Sequence, residues 1–434
     1  MKLHIGISKY LFINFFVIIL NYPNNRLLAQ TDTLHLSLQQ AEKQFIDSNF
    51  ILLAAHYNVD AQKALIEQAK AWQNPTLNTD FMIGANGKFL DYGKNADGSY
   101  NGQYYIQVQQ LIQTARKRGK LIDIATTNTK VSELQLQDLL RNLRYQLHQD
   151  YFGIRQQLYL LNNYNEQLDQ LNKLYAGMQA QYNTGNIAKK DIVRIQALVI
   201  ALQQDMTDLK KGISDTENDL KTLLQLKDAK TFIQPTEEPD SIFLMPDNLE
   251  SITNIAFQKN PYYLLQQTFT VYQQQNLTYQ KALRTPDITL GPNFDRNSNF
   301  APNYIGMGIS LPLPVLNKNK GNIKSAEYGV KQQQAVVQNA ETELRNNVSN
   351  AYQKLMLTVE QNNAVQKEFY SNYQAIYKNM LQSYRDRQIN LLEFLDFYND
   401  YTSSQQRLLQ QQLNLHLAKD ELNYHAGADI IRNN

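Results

Sequence analysis

The chain contains the same segment twice, and this repetition limits the folds it can adopt more than any other feature. Residues 38–75 align without a gap with residues 249–286, so that Asn49 falls on Asn260 and Pro75 on Pro286 at an offset of 211. Further along, the copies align at an offset of 202, which matches Gly119 with Gly321, Tyr182 with Tyr384, and Asp191 with Glu393. Such an internal duplication predicts repeated units that need partners to bury their apolar faces.

Charge and composition exclude several classes of function. The 434 residues include 42 Lys or Arg and 40 Asp or Glu, so the net charge is only +2. These charges are scattered along the chain, which is unlike a nucleic-acid-binding protein, and no nucleic-acid partner is expected. The chain has no cysteine, which excludes disulfides, thiol catalysis, thiolate metal sites and lipid attachment through an N-terminal cysteine.

Residues 1–30 have the features of a secretory signal peptide. Lys2 and Lys9 precede the apolar run 11–20, and a small-residue cleavage region follows at 27–30. The alternative is a short membrane anchor, but a spanning helix needs about 20 apolar residues. No transmembrane helix is expected after the signal, so a closed β-barrel is the remaining way to satisfy backbone hydrogen bonds in hydrocarbon.

Each copy begins with a helical pattern that changes to the alternation of strands after a proline. Residues 38–72 predict one helix, whereas its duplicate over 249–283 is expected to break at Asn260-Pro261, because the residue before a proline disfavours the α region. Strands with apolar residues on one side are predicted within 76–112 and 287–312, separated by loops rich in Gly and Asn. Such alternation is typical of transmembrane barrels, and also of half-buried hairpins in soluble proteins.

A very long helical hairpin follows the strands in both copies. Apolar residues recur every seven positions in the first, which predicts a coiled-coil seam: Leu140, Leu147, Ile154, Leu161, Leu168, Tyr175 and Tyr182. The first hairpin is predicted over 114–226 and the second over 321–424. Their helices break at 183–186 and 385–387, and these breaks are called the tips below.

At this point the chain resembles the TolC-like outer membrane efflux protein family, and its second copy resembles the heavy-metal and drug efflux (CzcC-like) branch. The most specific stretch is 310–326, SLPLPVLNKNKGNIKSA, which is similar to that family's link between last barrel strand and long helix. The resemblance divides the chain into five parts: a signal peptide (1–30), a first efflux repeat (31–230), a linker (231–247), a second repeat (248–427) and a C-terminal tail (428–434).

The resemblance implies an α+β membrane protein with a helical coiled-coil tunnel in the periplasm. Four strands from each subunit of a homotrimer would form one twelve-stranded barrel in the outer membrane, in contact with its lipid. The implied function is a passive conduit that docks onto a periplasmic membrane-fusion (adaptor) protein and, through it, an inner-membrane pump, first of all of the RND type. One alternative is the duct of a type I protein secretion system. An exported coiled-coil stalk is an alternative of a different class.

The family's gate residues can be carried over position by position. Tyr384, Glu393 and Asp396 match its gate tyrosine and two gate acids, and Asp191 matches an acid near the same constriction. Ile389 stands where some relatives have a gate arginine, with Arg385 and Arg387 close by. The alternative is that the acids belong to a solvated helix face and that the tyrosines only pack. The expected adaptor contacts lie at the tips: Gly185, Asn186, Arg385 and Arg387.

The sequence predicts no enzyme. It contains no nucleophile elbow, phosphate loop or zinc-ligand spacing, so no catalytic residue, metal ligand or cofactor is assigned. The histidines are dispersed, and His148 and His416 are expected to be helix-surface or seam residues without partners at i+3 or i+4. Metal ions, drugs and secreted peptides are alternative cargoes.

Overall fold

The computed structural model describes residues 33–85, 87–228, 230–236, 248–364 and 367–431. The predicted signal peptide and most of the predicted linker lie outside the described residues. Among the described residues helices predominate, and strands occur where the sequence alternates.

The elements of the first copy, in chain order, are β1 (Thr33–Leu36), α1 (Leu38–Ser48), α2 (Phe50–Lys70), β2 (Thr76–Phe81), β3 (Gly84–Ala85), β4 (Lys88–Phe89), β5 (Tyr104–Ile112), α3 (Lys117–Asn183), α4 (Lys189–Leu224) and β6 (Phe232–Pro235). β6 lies at the start of the predicted linker (231–247) and pairs in parallel with β1, so the first copy extends beyond its predicted end at residue 230. The first copy therefore returns to its own beginning.

The elements of the second copy are α5 (Leu249–Lys259), α6 (Pro261–Ala282), β7 (Ile288–Asn297), β8 (Pro302–Ser310), α7 (Lys320–Ala364), α8 (Lys367–Arg385) and α9 (Leu391–Ala426). The order of helices, strands and hairpin repeats that of the first copy, as the duplication predicts.

Both copies contribute to one antiparallel sheet. Its strand order is β2-β5-β7-β8, and the ladder between β5 and β7 joins the copies, with Gln107 opposite Asn293 and Ile112 opposite Ile288. The register puts side chains of one kind on each face, because directly opposed residues share a face. One face carries Leu77, Ile106, Val108, Phe294, Ile305 and Met307, and the other carries Asn78, Gln107 and Asn293. The apolar face is largely exposed in the single chain.

The two helices of the first hairpin pack against each other through the predicted seam. α3 has 67 residues and so extends for roughly 100 Å, and its seam residues Leu147, Ile154 and Leu171 are fully buried. Toward the tips, one apolar cluster takes residues from both hairpins, including Leu171 and Met178 of α3, Ile195 of α4 and Phe394 of α9. The two copies thus share a core along the helices as well as a sheet.

The prediction of one helix over residues 38–72 was wrong, because the chain breaks at Asn49. The backbone of Asn49 is extended, and its side-chain Oδ1 accepts hydrogen bonds from the N–H groups of Ile51 and Leu52 at 3.0 and 3.1 Å. Asn49 is therefore the N-cap of α2. A buried asparagine can end one helix and begin the next without the proline that marks the same break in the second copy.

The two matching asparagines are used in the same way in both copies. Asn260 caps α6 by accepting from Tyr263 N at 3.1 Å, and its Nδ2 donates to the carbonyl of His425 at 2.9 Å. Asn49 Nδ2 donates to the carbonyl of Leu223 at 3.0 Å. Leu223 and His425 occupy matching positions in the last turns of α4 and α9. Each asparagine therefore fixes the start of one helix to the end of its copy's returning helix.

We predict that replacing either asparagine destabilises the protein in two separable steps. Asn49→Asp keeps the capping oxygens but removes the donor to Leu223, whereas Asn49→Ala removes both, and the same holds for Asn260. Each alanine variant should lose about 2–3 kcal/mol, the sum of a cap and a buried carbonyl left unpaired. Circular-dichroism melting would measure the loss, with Asn162→Ala on the exposed side of α3 as the control. Equal melting of all variants would contradict the prediction.

An ion cluster centred on buried His148 joins three distant parts of the chain. His148 Nε2 lies 2.6 Å from Glu42 Oε1, and His148 Nδ1 lies 3.0 Å from Asp420 Oδ1. Arg144 continues the cluster, with its Nε 2.7 Å from Glu42 and its Nη1 3.1 Å from Asp429. Within the described residues His148 has no ion-pair partner at i+3 or i+4, as the sequence predicts, and its two acidic partners come from other helices.

The charge on His148 is stabilised by this cluster. Burial disfavours the imidazolium, but the hydrogen bonds and attraction of Asp420 and Glu42 outweigh that cost and raise the pKa of His148 to about 9. A folded-state pKa above the unfolded value of about 6.5 means that the stabilisation is complete below pH 6.5 and is lost as the pH rises through 9. The free energy involved is on the order of 3 kcal/mol.

We therefore predict that alkaline pH destabilises the wild-type protein through His148. Between pH 7 and pH 10 the melting temperature of the wild type should fall by more than that of His148→Gln, which has no imidazolium to lose. His56→Gln, at an exposed position of α2, should behave like the wild type. Parallel melting curves for wild type and His148→Gln across this range would rule the mechanism out.

Candidate functional site

The tips of the two hairpins have the same backbone conformation. In the first, Gly185 N and Asn186 N donate to the carbonyls of Tyr182 and Gln181, both at 2.9 Å. In the second, the N–H groups of Arg387 and Gln388 donate to the carbonyls of Tyr384 and Ser383 at 3.1 and 2.8 Å. This is the Schellman pattern, which requires a left-handed residue after the helix.

The left-handed position is filled by different residues in the two tips. Gly185 has φ 74° and Arg387 has φ 59°. Glycine adopts this conformation without strain, whereas a residue with a Cβ pays a conformational cost. Arg387 is held by a hydrogen bond from its Nη2 to Gln181 Oε1 at 3.2 Å. This bond connects the tip of the second hairpin to the last turn of α3 in the first.

The tips enclose a cleft that brings most of the predicted gate and tip residues together. Its lining includes Asp191, Tyr384, Ile389, Asn186, Arg385 and Arg387. Gly185 stands at the exposed turn outside this lining, and a Cβ there would have nothing within 4 Å. Glu393 and Asp396 are also absent from the lining.

Tyr384 packs into the cleft wall. Its ring stacks on Phe394 with centroids 5.3 Å apart, and its hydroxyl lies 3.6 Å from the sulfur of Met178 in α3. Burial, with a smaller contribution from the negative charge of Asp191, raises the pKa of Tyr384. The tyrosine therefore remains neutral and links α8 to both α9 and the first hairpin.

Ile389 contributes packing where a gate arginine would contribute charge. It is half-buried against the apolar cluster shared by the hairpins, and so is Ile187, the matching residue of the first tip. Both tips thus turn an isoleucine inward just after the left-handed residue.

Glu393 and Asp396 lie on the exposed side of α9, away from its buried residues Phe394 and Tyr398. Glu393 also has a local role. Its carboxylate accepts from Asn390 N at 3.1 Å while Asn390 Oδ1 accepts from Glu393 N at 3.0 Å. This reciprocal pair is a capping box that starts α9.

An aromatic ladder between α8 and α9 was not expected from the sequence. It extends away from the tip through contacts between successive rings: Tyr384–Phe394, Phe394–Tyr398, Tyr398–Tyr377, Tyr377–Tyr401, Tyr401–Tyr373 and Tyr373–Phe397. Tyr377 and Tyr401 are parallel, with centroids 4.2 Å apart. In the alignment of the two copies, several of these aromatic positions hold aliphatic or polar residues in the first copy. Ile192 aligns with Phe394, and Val199 aligns with Tyr401. This difference in sequence between the copies is the signal from which the aromatic ladder could have been predicted.

The described part of the chain contains neither a cluster of metal ligands nor a membrane-crossing helix. No group of three or more His, Asp or Glu residues there could hold a metal ion. No helix in the described ranges has the length and apolarity needed to cross a membrane.

Comparison with known proteins agrees with this geometry. The sequence matches the family described as outer membrane efflux protein over residues 42–225 and 272–428. No curated protein matches it significantly.

Several solved structures have the same fold. The outer-membrane channel OprN has a TM-score of 0.74 at 15% identity, with 90% of each chain covered. CusC has a TM-score of 0.73 at 16% identity, with 91% of this chain and 94% of that chain covered. The Campylobacter jejuni CmeC outer membrane channel has a TM-score of 0.74 at 13% identity, with 90% of this chain and 86% of that chain covered.

These likenesses confirm the predicted fold class, in which long helical hairpins join a sheet built by both copies. Because the family match spans most of both copies, the chain belongs to the outer membrane efflux protein family and is a channel of the cell outer membrane whose long helices lie in the periplasm.

Proposed function

We propose that this chain forms, as a homotrimer, the outer-membrane channel of a tripartite efflux system. It would receive substrate from a periplasmic adaptor and an inner-membrane pump, of RND type, and conduct it passively to the exterior. The observation that supports this most directly is the single sheet of β2, β5, β7 and β8, with one apolar and one polar face, continued by very long hairpins. An exported stalk would not need such a sheet.

Oligomerisation follows from the two ends of this sheet. β2 and β8 each have one side without a partner strand within the sheet. Unpaired backbone groups are costly in hydrocarbon, so these two edge strands require partner strands from other subunits. Each copy of the duplication, 31–230 and 248–427, would contribute two strands and one hairpin per subunit, and the number of three subunits comes from the family resemblance.

We predict that the protein fractionates with the outer membrane as a trimer. Cysteines placed on the two edge strands at positions of the same face, at Leu77 in β2 and Ile305 in β8, should cross-link different subunits. The chain has no cysteine of its own to interfere. A cysteine pair on β5 and β7, at Gln107 and Asn293, is the matched control and should cross-link within one subunit. A soluble periplasmic monomer would overturn the proposal.

We also propose that Glu393 and Asp396 ring the narrow periplasmic entrance. Both are exposed on one side of α9 in the single chain, and three subunits would gather six carboxylates. Their mutual repulsion would favour cation entry and let multivalent cations block the opening. With Ile389 in place of an arginine, the closed state would depend on packing of Ile389 and Tyr384, with Asp191 nearby, and on the bond from Arg387 to Gln181.

The gate proposal predicts a change in ion selectivity when both acids are neutralised. Glu393→Gln with Asp396→Asn removes the charges, and glutamine still fits the capping box of α9. In planar bilayers this double variant should lower the cation-to-anion permeability ratio about twofold or more and weaken block by divalent cations.

The control must remove exposed charges whose loss leaves the fold intact. Asp420 lies on the same helix but is buried against His148, so its replacement would disturb the fold. Asp215→Asn with Glu360→Gln removes two exposed charges far from the tips and should leave selectivity unchanged. Unaltered selectivity and block in the double gate variant would mean that these acids form only a solvated helix face.

The tips are proposed as the adaptor contact, since they are the helix breaks farthest from the sheet. Gly185→Leu should impair export because its left-handed φ of 74° strains any other residue. Gly177→Leu, at an exposed helical position of α3, is the control. Arg385→Glu with Arg387→Glu should have the same effect through charge, while Arg387→Gly relieves backbone strain and keeps the turn.

Export assays and photocross-linking at Asn186 and Arg385 would test this assignment. Trimers should persist in every variant. Adaptor capture at the loops 87–103 and not at the tips would reverse it.

A further inference from the structure

Basic residues gather where the sheet meets the helices. The four connecting segments 70–76, 113–124, 281–287 and 311–324 together contain ten cations: Lys70, Arg116, Lys117, Arg118, Lys120, Lys281, Arg284, Lys318, Lys320 and Lys324. They contain only two acids, Asp123 and Asp287. We call this group the basic collar, with the exception of Lys117, which is buried.

The strand register brings these four segments together at the end of the sheet where the strands meet the helices. Ile112 lies opposite Ile288, Thr289 opposite Ser310, and Thr76 opposite Gln109. Side-chain contacts hold the segments together. Thr114 N donates to Asp287 Oδ1 at 2.8 Å, and Asn319 Nδ2 donates to the carbonyl of Gln280 at 2.8 Å.

The loops at the other ends of the strands have no excess of positive charge. The loops over 82–103 and 295–301 contain three cations, Lys88, Lys94 and Arg296, and three acids, Asp91, Asp97 and Asp295. The positive charge is therefore specific to the side from which the periplasmic helices leave.

Much of the collar remains open to solvent in the single chain. Lys117 is excluded because its Nζ is buried 2.7 Å from Asp287 Oδ1. Arg116 and Lys281 make only long, exposed contacts with acids, at 4.0 and 3.9 Å, which contribute little. Arg284, Lys318, Lys320 and Lys324 are exposed.

Apolar side chains project beside these cations. Leu316 is fully exposed at 100%, and Leu313 and Val315 of the same segment are also exposed. Trp72, the only tryptophan, is 62% exposed, and the guanidinium of Arg118 lies 4.2 Å from its ring centroid. Tryptophan with nearby cations is typical of the level where lipid headgroups meet acyl chains.

We propose that the basic collar binds the phosphate-bearing headgroups of anionic glycerophospholipids in the periplasmic leaflet, while the apolar segment 311–316 inserts among their acyl chains. Charge complementarity carries the headgroup assignment, and the adjoining apolar residues favour a lipid over an acidic protein surface. The inference rests on the placement of the channel in the outer membrane, and it is independent of the gate and of the adaptor.

Trp72 provides a built-in probe for this inference, because no other tryptophan contributes fluorescence. The trimer would be placed in two nanodisc preparations. Each contains phosphatidylethanolamine and the same mole fraction of one dibrominated lipid. Dibrominated phosphatidylglycerol should quench Trp72 about threefold more strongly than dibrominated phosphatidylethanolamine, since each cation near an anionic surface changes binding by roughly fivefold. The difference should shrink in high salt as the screening length falls.

The collar variant carries five substitutions: Arg116→Gln, Arg284→Gln, Lys318→Gln, Lys320→Gln and Lys324→Gln. Arg118 is retained because it touches the probe. Because four collar cations remain, this variant should lose most of the preference for phosphatidylglycerol and keep a small residue of it. The matched control removes five exposed lysines of other helices and loops, Lys43, Lys173, Lys210, Lys211 and Lys227, and should keep the wild-type preference.

Three results would overturn the proposal. They are equal quenching by both lipids in the wild type, an undiminished preference in the collar variant, and a stronger response to brominated lipid A than to phosphatidylglycerol. Conductance in planar bilayers is measured on the same preparations. A conducting channel without a lipid preference would overturn the collar and leave the channel function intact.

Discussion

A strand edge that faces hydrocarbon has no solvent to satisfy its backbone N–H and C=O groups, and this requirement organises the whole molecule. Within one chain, only the combination of both copies gives a four-stranded sheet, through the ladder between β5 and β7. That ladder sets where all strands end, and hence where the helices start and where the collar cations meet. The remaining edges, β2 and β8, then make the subunit incomplete by itself.

The duplication was kept where it has a structural role and diverged near the proposed gate. Asn49 and Asn260 make equivalent bonds to Leu223 and His425. The helices that carry these carbonyls both end in a left-handed residue, Gln225 at φ 54° and Gly427 at φ 68°. At the tips, by contrast, glycine in one copy is arginine in the other, and aliphatic residues become an aromatic ladder. The second hairpin therefore carries the features that the first hairpin lacks, namely the left-handed arginine at its tip and the aromatic ladder.

The sequence predicted what depends on local pattern. Alternation gave the strands, the seven-residue repeat gave the seam of α3, and the break before Pro261 was readable from backbone sterics. The break at Asn49 was not, since it depends on a carbonyl 174 residues away. The cluster around His148 likewise joins residues from α1 and α9. The capping box of Asn390 and Glu393 also depends on local pattern, since the two residues stand at the spacing that defines it, and it gives Glu393 a local role beside the proposed pore role.

The collar was invisible in the sequence for a physical reason, since its cations are dispersed over some 250 residues of a nearly neutral chain and only the strand register gathers them. The length of α3, roughly 100 Å for 67 residues, separates the collar from the acids near the tips. The screening length at physiological salt is about 8 Å, so the two charged zones cannot influence each other directly. The proposed cation-attracting entrance and the proposed anion-binding collar are therefore compatible in one chain, and neutralising either zone should leave the electrostatics of the other unchanged.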